Sequence, residues 1–244
     1  MSNIKIAIVN ASTALKDSDI SKAMPSFQTQ VHRDFAQAWG VDADLVFVPK
    51  GSTPPPGAWW LAILDNSDVA GALGFHDLTS EGLPLGKVFA QTDLDSGNQW
   101  TVTASHELLE MLADPDINLG AYVDRSGGGI TLYAYEVCDA CEADEFGYKV
   151  DGTAVSDFVY PAWFESFRAA GSTQFDQQKR ITKPFQLLAG GYIGVYEVPS
   201  GNGWTQITGD RRGYAMRPPV GSRREKRRTP REQWLRSKVG PKAQ

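Results

Sequence analysis

The sequence predicts an α+β domain, a mixed sheet packed on helices, followed by a basic C-terminal tail. Three observations lead there. The first half alternates short β-rich runs with helical patterns in the order β-α-β-β-β-β-α, the signature of a layered domain. With 244 residues, 41% hydrophobic and 22% charged, the chain has the size and composition of one large globular domain with an appendage. Charge then divides the chain. From Arg211 onward there are twelve basic residues against Glu225 and Glu232, a balance of +10, whereas the first 210 residues hold 12 basic against 27 acidic, a balance of −15. We therefore read 1–210 as the folded domain and 211–244 as a basic, flexible tail.

The elements follow in order. Residues 4–9, Ile-Lys-Ile-Ala-Ile-Val, form a β-rich run. Asp17 or Ser18 is placed to cap a helix reaching Trp39, with Pro25 in its first turn or breaking it and Gly40 as its stop. Residues 43–48 read as a second strand, 51–57 as a Pro/Gly loop, and 59–64 as a buried apolar strand. The runs 71–76 and 85–91 read as neighbouring strands at the edge of the same sheet, and the polar stretch 93–98 as a loop. Residues 101–113 read as a helix with Thr101 or Thr103 as N-cap and Pro115 just beyond its end. Further on, 121–123, 130–137 and 190–196 read as strands, and 158–169 as a short aromatic-rich element.

No run approaches the ~18 consecutive apolar residues of a membrane helix, and the first residues lack the basic and apolar regions of a signal peptide. The expected location is cytoplasmic, where Cys138 and Cys141 are thiols rather than a disulfide. Only three histidines are present, His32, His76 and His106, so no site can use more than three imidazoles.

The segment that carries chemistry is His106-Glu107-Leu108-Leu109-Glu110. On a helix, positions i and i+4 lie one above the other, so His106 and Glu110 point the same way. Glu107 lies about 100° around the helix, within reach of a water held between them. This is the geometry of the zinc-protease helix H-E-x-x-H with glutamate in place of the second histidine. Zinc accepts carboxylate oxygen at about the distance it accepts imidazole nitrogen, about 2.0–2.2 Å. Leu108, Leu109 and Leu112 on the other faces predict a buried helix, and buried charges need partners or a metal.

With the acidic cluster Glu136-Val137-Cys138-Asp139-Ala140-Cys141-Glu142 downstream, the chain resembles the phosphate-induced, Exordium-type proteins of plants and their bacterial and fungal relatives. Those carry a helix of the form H-E-L-x-E, a proline, and a later segment like E-I-G-D-x-C-E. His106 to Glu110, Pro115, Asn118 and the 136–142 segment follow that order, with Cys138 where the plant proteins have glycine. The string Ser105-His106-Glu107-Leu108-Leu109-Glu110-Met111-Leu112-Ala113-Asp114-Pro115 is also similar to that of a group of bacterial and phage-associated proteins. The resemblance to the plant proteins covers about residues 100–145 and implies a zincin-like metalloprotease fold, with the mixed sheet packed on the HExxE helix. Phage association is the other location it suggests.

A catalytic zinc site has three protein ligands and a water. His106 and Glu110 supply two, and Glu136, which opens the matching downstream segment, is the first choice for the third. Asp139 is the close alternative, as a ligand or as the group orienting His106. Asp116, ten residues after His106, occupies the metzincin-like position. Cys138 and Cys141 with His106 would make a Cys₂His set. His76, on the expected edge strand, would face a substrate cleft and contact a carbonyl oxygen. The function expected is Zn²⁺-dependent hydrolysis of a peptide or protein substrate with Glu107 as general base. The alternative is a non-catalytic zincin-like module serving as a phage- or host-associated binding or assembly part. The basic stretch 223–236 is dense enough to contact a polyanion, and no membrane partner is indicated.

Overall fold

The computed structural model describes residues 4–67, 72–79, 81–125, 128–198 and 203–209. The basic tail 211–244, with its expected polyanion contact at 223–236, lies outside the described residues. The fold is mixed α+β. Its larger sheet has five strands in the order β2-β1-β3-β5-β4. They are β1 (Ile4–Asn10), β2 (Ala43–Val48), β3 (Trp59–Leu64), β4 (Gly74–Leu78) and β5 (Pro84–Phe89). The pairs β1–β2, β1–β3 and β3–β5 are parallel, and only β4 runs antiparallel, on the edge beside β5. The two expected edge strands are thus neighbours. β1 and β3 read as continuous apolar runs because strands inside a parallel sheet are buried on both faces.

Helix α1 (Asp17–Thr29) continues through a π-helical turn, Gln30–Phe35, into the short α2 (Ala36–Trp39). Gly40 ends it in the left-handed conformation, φ 70°, with its N–H on the Ala36 carbonyl. Two expectations are corrected here. Pro25 neither starts nor breaks the helix but sits inside it, on the exposed face, where water can serve the Ser21 carbonyl that loses its donor. The N-cap is Lys16, whose N–H donates to Asp19. Asp17 instead accepts bonds from Asn10 and from the Lys50 N–H.

A third correction concerns 93–98. Residues Ala90–Asp95 form a short helix, α3, directly after β5. Its first turn is held by N–H bonds from Gln91 and Thr92 to the Asp65 carbonyl, and the Asp93 carboxylate accepts from the Thr103 hydroxyl at 2.8 Å. Thr103 is therefore not a cap. α4 runs Trp100–Ala113, its N-cap is Gln99, and the Gln99 N–H donates to Asp144. Every residue of α4 from Val102 to Ala113 is buried. It packs on β3, β4 and β5 on one side and, on another, on β9 (Thr153–Val155). α1 and α4 share one core with Ile6, Ile8, Leu61 and Ile63 of the sheet, extended by Phe35, Phe158, Trp163 and Phe175. At the far end of α4, the Asp114 carboxylate accepts the N–H groups of Asn118 and Leu119.

The second half is built on a four-stranded antiparallel sheet in the order β11-β10-β7-β6. It comprises β6 (Gly120–Arg125), β7 (Gly129–Ala134), β10 (Tyr192–Glu197) and β11 (Trp204–Thr208). β7 stops at Ala134, three residues short of expectation. A 3₁₀ turn, Asp139–Cys141, follows. The hairpin of β8 (Tyr148–Val150) and β9 was not legible in the sequence. The aromatic stretch 158–169 holds only a 3₁₀ turn, Pro161–Phe164. Among the described residues no helix is long and apolar enough to cross a membrane.

Candidate metal centre

The buried face of α4 carries three ionisable side chains, none more than 6% exposed: His106, Glu107 and Glu110. The i, i+4 spacing brings His106 Nε2 to 3.3 Å from Glu110 Oε1. Glu107 turns toward β4 and β5, where two glycines make room. A Cβ on Gly74 would lie 2.7 Å from Glu107 Oε1, and one on Gly86 would meet Leu61 at 2.4 Å and the Glu107 Cβ at 3.7 Å. Gly74 and His76 share a strand face, because side chains alternate along β4. His76 thereby points at α4, its Nδ1 3.5 Å from Glu110 Oε2 and 3.9 Å from Glu107 Oε2.

Two more carboxylates come from the chain after β7. Glu136 Oε2 is 3.6 Å from His76 Nε2, and Asp139 Oδ1 is 3.3 Å from His106 Nε2. The Cys138 N–H donates to Glu110 Oε1 at 3.2 Å, fixing this segment against α4. The six side chains line one cavity of about 20 Å³, together with Gly74, Phe75 and Tyr192. That is room for about one water.

The structure gathers His106, Glu107, Glu110, Glu136, Asp139 and His76, and it sorts the two candidate third ligands. Asp139 completes a triad with His106 and Glu110, whereas Glu136 completes one with His76 and Glu110. In each triad the ligand atoms lie within 4.8 Å of one another. Asp116 is exposed beyond the end of α4 and does not reach the cavity, because Asp114 turns the chain away there. Cys138 and Cys141 are free thiols that face the hydrophobic core instead of the cavity. Burial pushes both thiols well above the ordinary range. His32 pairs with Asp42 at the surface. Of the lining, sequence reasoning missed Gly74 and Phe75, and also Tyr192. Its one sequence signal is Gly191 before it, where a Cβ would lie 2.3 Å from the Ala140 carbonyl oxygen, so β10 must start tight against the 3₁₀ turn.

Electrostatics make the cluster demanding. Burial disfavours the His106 imidazolium, but Glu110, Asp139 and Glu107 around it raise its pKa well above the ordinary value. Burial disfavours the Glu110 carboxylate too, yet His106 and His76 hold its pKa well below the usual range. Asp139 is pushed up to about 7, by burial first and then by the charge of Glu110, with His106 opposing. Among the described residues no Lys or Arg lines the cavity. Lys87, buried on β5, points to the opposite face of the sheet, toward Asp77 and the Phe75 ring.

The donor set, imidazole nitrogen with carboxylate oxygen, could hold a divalent cation. The contacts of 3.3–3.6 Å from the imidazoles to Glu110, Glu136 and Asp139 exceed the usual N–H···O range of about 2.7–3.2 Å. Two ligands on one tetrahedral ion, each about 2.0–2.1 Å from it, are about 3.3–3.4 Å apart. No protein-family model, curated protein or solved structure matches the chain.

Proposed function

We propose that the protein is a zincin-like, metal-dependent hydrolase acting on peptide bonds, with Glu107 as general base and His106, Glu110 and Asp139 holding Zn²⁺. The observation that carries this reading is the convergence of two buried histidines and four buried carboxylates on one water-sized cavity, at ligand-to-ligand spacings.

When bound, the cation would polarise a carbonyl and acidify a water. The chain supplies the rest. Glu107, 5% exposed, lines the same cavity and takes the proton from the attacking water, then delivers it to the leaving amine. Gly74 leaves its carboxylate room, since a Cβ there would lie 2.7 Å from Oε1. His76, the expected substrate contact, lies 3.9 Å from that carboxylate and is only 1% exposed, its ring nitrogens turned to Glu110 and Glu136.

The test pairs metal analysis of untagged protein with peptide hydrolysis in the wild type and Glu107→Gln. The reading expects zinc in both and a rate in the variant lower by at least 10²-fold, about the contribution of a general base. Equal rates would leave a metal-binding module without catalysis, and absence of zinc from the wild type after zinc is supplied would sink the metal reading.

A further inference from the structure

We infer that Glu110 bridges two divalent cations, one held with His106 and Asp139, the other with His76 and Glu136. This rests on the metal reading above and extends it from one ion to two.

The two oxygens of Glu110 do different work. Oε1 faces His106 Nε2 at 3.3 Å, and Oε2 faces His76 Nδ1 at 3.5 Å. Beyond His106 stands Asp139, 3.3 Å from the same Nε2, and beyond His76 stands Glu136, 3.6 Å from the other ring nitrogen, Nε2. The result is two triads of buried ligands with Glu110 as their common member. A carboxylate that offers one oxygen to each of two imidazole–carboxylate pairs has the form of a bridging ligand. The ions it joins in two-metal hydrolases are about 3.5–4 Å apart.

Charge points the same way. Glu107, Glu110, Glu136 and Asp139 bring four carboxylates to a cavity that, among the described residues, no Lys or Arg lines. With all four ionised and both imidazoles neutral, as ligands of a cation would be, one divalent ion leaves a charge of −2 and two leave none. Uncompensated buried charge is among the most costly arrangements a protein can hold. The pairing also gives His76 and Glu136 a shared task. They come from β4 and from the loop after β7, and they meet directly, His76 Nε2 to Glu136 Oε2, at 3.6 Å.

The experiment uses the full, untagged chain, stripped with chelator, reloaded with Zn²⁺ or Mn²⁺ and desalted. Metal per chain is measured in the wild type, His76→Ala and His106→Ala, with circular dichroism to verify folding. Two ions in the wild type and one in each variant support the bridge. The Mn²⁺ form of the wild type supplies a readout that needs no variant: an exchange-coupled electron paramagnetic resonance spectrum indicates a bridged pair. One ion in the wild type, kept in His76→Ala and lost in His106→Ala, with an uncoupled Mn²⁺ spectrum, overturns the second site while leaving the hydrolase reading intact. No ion in the wild type overturns both.

Discussion

Gly74 and Glu107 compete for one volume: a Cβ on the glycine would lie 2.7 Å from Oε1 and 2.8 Å from Cγ of the glutamate. The same Cβ would also come within 2.8 Å of the Lys87 carbonyl oxygen, which is backbone and cannot swing aside. The absence of a side chain at 74 therefore sets where the proposed base can stand.

Gly74→Ala should displace Glu107 or push β4 off β5. We expect a loss of about 1–3 kcal/mol in stability, as for other overpacked sites, read by urea denaturation. Hydrolysis should fall at least 10-fold while metal content is kept, because His106 and Asp139 do not touch Gly74. Unchanged hydrolysis would show that the carboxylate has room to spare.

Metal removal should destabilise the fold, since four clustered carboxylates lose their counter-charge. A cation at 100 times its dissociation constant stabilises by about 2.7 kcal/mol. At about 2–4 °C per kcal/mol for a chain of this size, Tm should drop by about 5–10 °C on chelation and recover with Zn²⁺. Equal melting temperatures with chelator and with Zn²⁺ would contradict cation binding in the cavity.

A separate carboxyl pair governs pH dependence. Asp157 and Asp176 are both fully buried, and Asp157 is pushed up to about 8, by burial first and then by the charge of Asp176. Asp176 accepts the N–H groups of Arg180 and Ile181, and Asp157 accepts those of Phe158 and Gln178. The folded pKa of Asp157 thus lies above its unfolded value of about 3.9. This contribution to stability is fully present below the unfolded value and is lost as pH rises through about 8. Asp157→Asn keeps the acceptor for the Phe158 N–H and a donor toward Asp176 without a charge to bury. It should melt close to wild type near pH 4 and above it at pH 9, as thermal scans across that range will show.

Thr103→Val removes the hydroxyl that donates to buried Asp93 and ties α3 to α4. Burial already raises Asp93 to about 7, with Thr103 opposing, so the variant should raise it further. A cost of about 1–3 kcal/mol is expected for a buried acceptor left without its donor, measured by chemical denaturation at pH 8. A variant as stable as wild type would mean that water replaces the hydroxyl.

Local pattern alone was enough for β1, β2, β3, the helix through residues 101–113 and its stop before Pro115. Continuous apolar runs and helical spacing are properties of neighbours in sequence, and so is the shared direction of His106 and Glu110. The boundaries that failed depended on distant partners. α3 is held by Asp65 and Thr103, and β7 ends where its chain turns in to bring Glu136 and Asp139 under α4. Cys138 and Cys141 were alternative ligands because with His106 they would make a Cys₂His set, but their side chains lie in the core.

By itself the sequence determined that a histidine and two glutamates share a buried helix, since 3.6 residues per turn leaves no other arrangement. Only the tertiary structure decided which residues meet them. His76 arrives through the antiparallel register of β4 on β5, and the choice between Glu136 and Asp139 follows from how the chain after β7 crosses α4. Contacts between residues 76, 106 and 136 depend on strand pairing across the whole sheet, and no local spacing encodes that.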